Sequence, residues 1–392
     1  MRFESFLKNG TVLSLLIFLI AGPALAESLG WRMDGDGRYP DANPPISWST
    51  EKNVVWKTAT PAWSNASPVY LASKSMVFST NEPDEIFAAN AKDGKIVWKD
   101  STSDIKAAKV GAHKDNGWAT PTPVTDGSHV FTVFGSGVVA AYTVDGERLW
   151  ARVVEQPKHK WGHSASPVLA GGHLIVHLLD LIALDPKTGK EVWRAESDVK
   201  WGSPVVAQIE GKDVVITPAG DVFQATDGKS VATGIGSLAF STPVVQDGVV
   251  YFIEKAATAV RLPKKMDGEF EQLWLSRVQG SRHYASPVIQ DGLIYAVSRE
   301  EMFSIIDAMT GELVHERDLD LGEGSNSAYP SIAQAGGKIY VSAENGTTVV
   351  LEQAREYKEI ARNSVEGFRS SPVFVGDRMY LRAFDHLYCF GS

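Results

Sequence analysis

Short apolar runs broken by turn residues follow one another along nearly the whole chain, and no long segment carries apolar positions at helical spacing. The unit from Ser286 shows the grammar. Ser286-Pro287-Val288-Ile289 opens a strand, and a proline at its first position removes no needed ladder donor. Gln290-Asp291-Gly292 is a tight turn, because Asp-Gly takes left-handed backbone geometry readily. Leu293 to Val297 is wholly apolar, as a strand buried on both faces must be. Met302 to Asp307 forms a third strand, Met309-Thr310-Gly311 turns, and Glu312 to His315 begins a fourth. Such units begin at Pro68, Pro123, Pro167, Pro204, Pro243, Pro287, Pro330 and Pro372, about 40 residues apart. Four antiparallel strands per period predict an all-β, eight-bladed β-propeller. A seven-bladed ring is the alternative, since the Pro204 and Pro330 units have drifted furthest.

The fourth strand carries a tryptophan at Trp98, Trp150 and Trp193, and Trp274 holds that place after a longer turn. A flat ring at one fixed position per blade fills the wedge between splaying sheets, burying about 150–250 Å² each. Ala232, His315 and Ala361 occupy the slot in the other units, which should be the weaker blades. The last unit ends at Phe390 with only three strands. Its missing fourth is Val54 to Thr58, which carries Trp56 without a blade of its own. Pairing of the two chain ends would close the ring and remove an exposed sheet edge.

Residues 1–26 have the plan of a secretory signal peptide: Arg2 and Lys8, an apolar run from Thr11 to Gly22, then Ala24-Leu25-Ala26. Residues 27–52 read as a leader and 53–392 as one propeller domain, placed in the periplasm or secreted. The sole cysteine, Cys389, rules out an internal disulfide and cysteine zinc sites. A net charge of −9 with no basic run argues against nucleic acid or anionic lipid as a partner. Gly135-Ser136-Gly137 feeds a strand and no helix, so phosphate-binding logic fails there. Asp34-Gly35-Asp36-Gly37 lacks the further acids of a calcium loop and reads as a turn.

The Ser-Pro-Val starts, the Asp-Gly hairpins, Ala183 to Trp193 and the tryptophan-bearing fourth strands resemble the pyrroloquinoline-quinone-like (PQQ-like) propeller repeat family. The resemblance covers nearly all of the mature chain. It implies a rigid ring but several functions, since the family holds quinoprotein dehydrogenases, BamB-type assembly lipoproteins and sensor domains. Many dehydrogenases of the family set two adjacent cysteines against the quinone and hold calcium beside it. This chain has no cysteine pair, and no calcium ligands map onto it. The assembly lipoproteins carry an acylated cysteine after the signal, which is also missing here.

Loops entering the innermost strands should converge at one mouth of the ring. They carry His113, Asn116, Trp118, Trp161, His163, Lys200, Trp201, Arg282, His283, Tyr284, Asn326 and Arg369. Flat rings beside cationic donors suit a planar, anionic or sugar-like ligand. The structural alternative is that the tryptophans cap a channel and the histidines bond loop carbonyls. The expected function is therefore a non-enzymatic scaffold for an envelope protein or small ligand, with no cofactor. A quinoprotein oxidoreductase using PQQ with calcium but no disulfide is a second reading. A carbohydrate-active lyase or hydrolase using His113, His163 or His283 as base is a third.

Overall fold

The computed structural model describes residues 29–33, 35–107, 113, 115–157, 161–322 and 327–391. The signal-peptide reading and Asn326 lie outside the described residues. The strands form eight sheets, which settles the count against the seven-bladed alternative. Blades 1 to 7 span 69–101, 124–153, 168–195, 205–232, 244–277, 288–318 and 333–364, each of four consecutive antiparallel strands. Blade 8 comprises Val373–Val375, Arg378–Arg382 and His386–Gly391, completed by Val54–Ala59. Val54 pairs with Phe390, Trp56 with Cys389 and Thr58 with Leu387, as the unpaired edge required. Cys389 is fully buried there, and that burial pushes its thiol up to about 12.

All eight outer strands carry a bulge immediately before the tryptophan slot. The residues skipped in the register are Val55, Val97, Leu149, Val192, Val231, Leu273, Val314 and Ile360. The extra residue kinks each strand and aims the next side chain sideways, toward the neighbouring blade. There the indole N–H of Trp56, Trp98, Trp150, Trp193 and Trp274 donates to Ala91, Val144, Pro186, Ala225 and Ala308 carbonyls, at 2.8–3.0 Å. Each ring lies against the turn glycine of the following blade. At Gly146, with φ of 98°, a Cβ would stand 2.6 Å from the Trp98 ring, so glycine is needed twice over.

In the blades without a slot tryptophan, side chains from elsewhere pack into the joint. Met266 and Phe270, from the long hairpin of blade 5, pack into the joint between blades 4 and 5. Tyr357, from the long hairpin of blade 7, packs on Phe303 between blades 6 and 7. Trp48 of the leader fills the joint between blades 7 and 8. Its ring stacks on Tyr340 at 6.2 Å and tilts against Phe390 at 6.1 Å, and its backbone N–H donates to Asn363 at 2.8 Å.

The leader also occupies the axis of the ring. Leu29 accepts from Thr125 N–H at 2.8 Å on blade 2, and Gly35 lies beside Val205 on blade 4. Arg32 is buried and donates from Nη2 to Pro287 and Ile332 carbonyls, at 2.7 and 2.8 Å, on blades 6 and 7. Burial lowers its guanidinium to about 10, so it stays charged at neutral pH. Arg38–Tyr39 then pairs in parallel with Gln334 and Ala335, giving blade 7 a fifth strand that the sequence reading did not contain.

Candidate functional site

One hydroxyl from each blade forms a closed circle around the axis: Ser67, Thr122, Ser166, Ser203, Thr242, Ser286, Ser331 and Ser371. In every case the backbone N–H donates to the side-chain oxygen of the next blade, at 2.9–3.1 Å, and Ser371 returns to Ser67. Most of these are the residue before the repeat proline. Blade 7 departs from the sequence expectation by one position, because Ser331 follows Pro330 and Ile332 takes the proline's place. Short polar side chains are required here, where eight backbones crowd together and each inner N–H must be satisfied without water.

Two residues earlier in each blade, a second tier widens into a cavity of about 430 Å³. Blades 1 to 3 contribute Asn65, Thr120 and Ser164, blades 4 to 7 contribute Trp201, Phe240, Tyr284 and Tyr329, and blade 8 contributes Arg369. The cavity is thus aromatic on one side and amide or hydroxyl on the other. Trp31 of the leader lines it from the axis. Tyr284 stacks on Tyr329 at 4.4 Å, and Phe240 meets Tyr284 edge-on at 5.1 Å. Glu254 holds the Phe240 loop by accepting from Phe240 and Ser241 N–H at 2.7 and 2.8 Å.

The two arginines at the mouth are not equivalent. Arg369 pairs with Glu344 at 2.6 Å, lies over Tyr329 at 4.3 Å and donates to the Asp115 carbonyl, so its charge is spent within the wall. Arg282 is exposed, lies over Phe240 at 5.5 Å and donates to Tyr284 Oη at 3.1 Å. Among the described residues no carboxylate forms an ion pair with it. The phenol hydrogen bond raises its guanidinium further, and it remains cationic at every working pH.

Of the sequence-predicted residues, Asn116, Trp161, Trp201, Arg282, Tyr284 and Arg369 line this cavity. His113 stands outside it, stacked on Trp161 at 3.6 Å. Trp118 packs over Gly135 and Gly162, its backbone N–H held by Glu82 at 2.6 Å. His163 and Lys200 line a separate recess of about 240 Å³ beside Leu178 and Val199. His283 is buried next to the mouth, with neither ring nitrogen hydrogen-bonded, and burial lowers it to about 4. The three histidines therefore do not meet in the wall. Among the described residues no group of three or more His, Cys, Asp or Glu is placed to hold a metal ion.

The sequence reading missed Asn65, Phe240 and Tyr329, all of which stand two positions before a ring hydroxyl. That fixed offset was the available signal, and the shifted proline at 330 hid it in blade 7. Nothing in the leader's sequence marks Trp31 as a cavity residue.

The family profile described as outer membrane protein assembly factor BamB matches residues 48–200 and 180–391. Among solved structures, BamB from Moraxella catarrhalis superposes with a TM-score of 0.67 at 15% identity, covering 86% of this chain and 97% of that one. Quinohemoprotein alcohol dehydrogenase ADHIIG from Pseudomonas putida HK5 superposes with a TM-score of 0.66 at 11% identity, over 93% and 80% of the two chains. The computationally designed Ika8 protein reaches 0.62 at 12% identity, over 87% and 100%. At such identities the likeness carries the fold alone. No curated protein matches the chain by sequence. No helix among the described residues is long and apolar enough to cross a membrane.

Proposed function

This chain belongs to the BamB-type family of PQQ-like propellers, and from that premise we propose that it is a non-enzymatic scaffold of the periplasm or cell exterior, gripping an envelope protein at its mouth. The family supports a protein-binding scaffold. The mouth supports the finer assignment, since a preformed aromatic wall beside an exposed guanidinium is the composition of a contact hot spot. The observation that carries the reading is the wall of Trp201, Phe240, Tyr284 and Tyr329 beside Arg282. Capture from a periplasmic extract tests it. Wild-type protein should recover a stoichiometric partner, and Tyr284→Ala with Trp201→Ala should lose it while remaining folded. Equal recovery by both proteins would refute the mouth as the grip.

A quinone held by calcium fits these residues poorly. Glu344 is committed to Arg369, and Cys389 lies in the closing strand. No step is assigned to such a cofactor. Soaking with pyrroloquinoline quinone and calcium should leave the absorption spectrum a simple sum of its parts.

A further inference from the structure

The hydroxyl circle has a chemical property beyond holding the blades together. A serine or threonine hydroxyl offers one donor and two acceptor positions. Each oxygen here accepts a backbone N–H, and among the described residues none of the eight protons has a protein acceptor. The cavity floor therefore presents unspent O–H donors and selects an acceptor-rich guest.

Two further observations narrow the guest. One wall offers flat rings, which favour a molecule with one apolar C–H face. Among the described residues Arg282 at the rim forms no ion pair, and it calls for an anionic group. Acceptor oxygens along one edge, an apolar face on the other side and one negative substituent together describe an acidic sugar. The volume lies within the range of small-ligand pockets.

Resting on the reading of the mouth as the recognition site, we propose that the cavity binds a pyranose ring bearing an anionic substituent. The ring's C–H face lies on Trp201 and Tyr284. Its oxygens accept from the hydroxyl circle, and the anion meets Arg282.

Titration of the mature protein with D-glucuronate, D-glucose and benzoate, followed by tryptophan fluorescence, tests this. Glucuronate should saturate the signal and bind about fivefold more tightly than glucose, as expected for one exposed charge-assisted contact. Arg282→Gln should abolish that preference. The absence of a saturable response to either sugar would overturn the proposal. So would benzoate matching glucuronate, or a preference that survives in Arg282→Gln. Partner capture on the same protein separates the two readings. An envelope protein recovered without any sugar response leaves the scaffold and removes the sugar site; saturable glucuronate binding with no protein recovered does the opposite.

Discussion

The backbone N–H of Ser371 donates to Ser67 Oγ at 2.9 Å, joining residues 304 positions apart and closing a circle that seven other blade-to-blade bonds begin. A few residues outward, the pairing of Val54–Ala59 with His386–Gly391 closes the same joint through a sheet. Arg382 adds a third tie, donating from Nη2 to the Ala62 carbonyl at 2.6 Å and to Asn81 Oδ1 at 2.8 Å. Ring closure is thus made at the axis, in the blade and at the mouth.

Ser67→Ala leaves the buried Ser371 N–H without an acceptor. The expected loss is about 1–3 kcal/mol, read from urea unfolding of the mature protein. An unchanged midpoint would mean that the circle is incidental to closure.

Trp48→Ala should cost as much as losing one of the docking tryptophans, about 3–5 kcal/mol. Val97, exposed on the outer bulge of blade 1, serves as the comparison, with Val97→Ala expected within about 0.5 kcal/mol of wild type. Equal small effects for both substitutions would show that the leader merely rests on the joint.

Gly146→Ala combines an unfavourable φ with a clash against the Trp98 ring. It should destabilise by on the order of 1–3 kcal/mol. In the Trp98→Ala background its cost should shrink, because the clash is gone while the backbone strain remains. A double-mutant cycle measures the difference.

His283 makes stability pH-dependent in a defined direction. Its folded value of about 4 lies below the ordinary 6.5, because burial penalises the charged ring. The unfolded chain therefore takes up a proton first as pH falls. Stability is fully present above about 6.5, is lost between there and about 4, and falls no further through this residue below that. The total is on the order of 3 kcal/mol at most. His177, buried and lowered by the same desolvation, acts in the same sense. Unfolding midpoints measured from pH 7 to 4.5 should show a shallower decline in His283→Leu. Parallel curves would exclude the ring as the titrating group.

The chain's local grammar determined the propeller: turn glycines, prolines at strand starts and a tryptophan in five of the eight outer strands are short-range features, and repetition makes them legible. The closing role of Trp56 was readable for the same reason, since a fourth-strand pattern without its own blade has one partner to find. What folding alone decided concerns contacts between residues far apart in sequence. That Trp48 substitutes for the slot at Ala361, that Arg32 bonds blades 6 and 7 across the axis, and that Asn65 and Tyr284 line one cavity are consequences of ring curvature. Neither hydropathy nor spacing encodes them. Loop histidines looked equivalent to loop tryptophans in sequence, but the two-residue offsets from the hydroxyl circle point into the mouth and His113, His163 and His283 do not line it. Direction is set by the backbone frame of the assembled blades, and that frame exists only once the circle is closed.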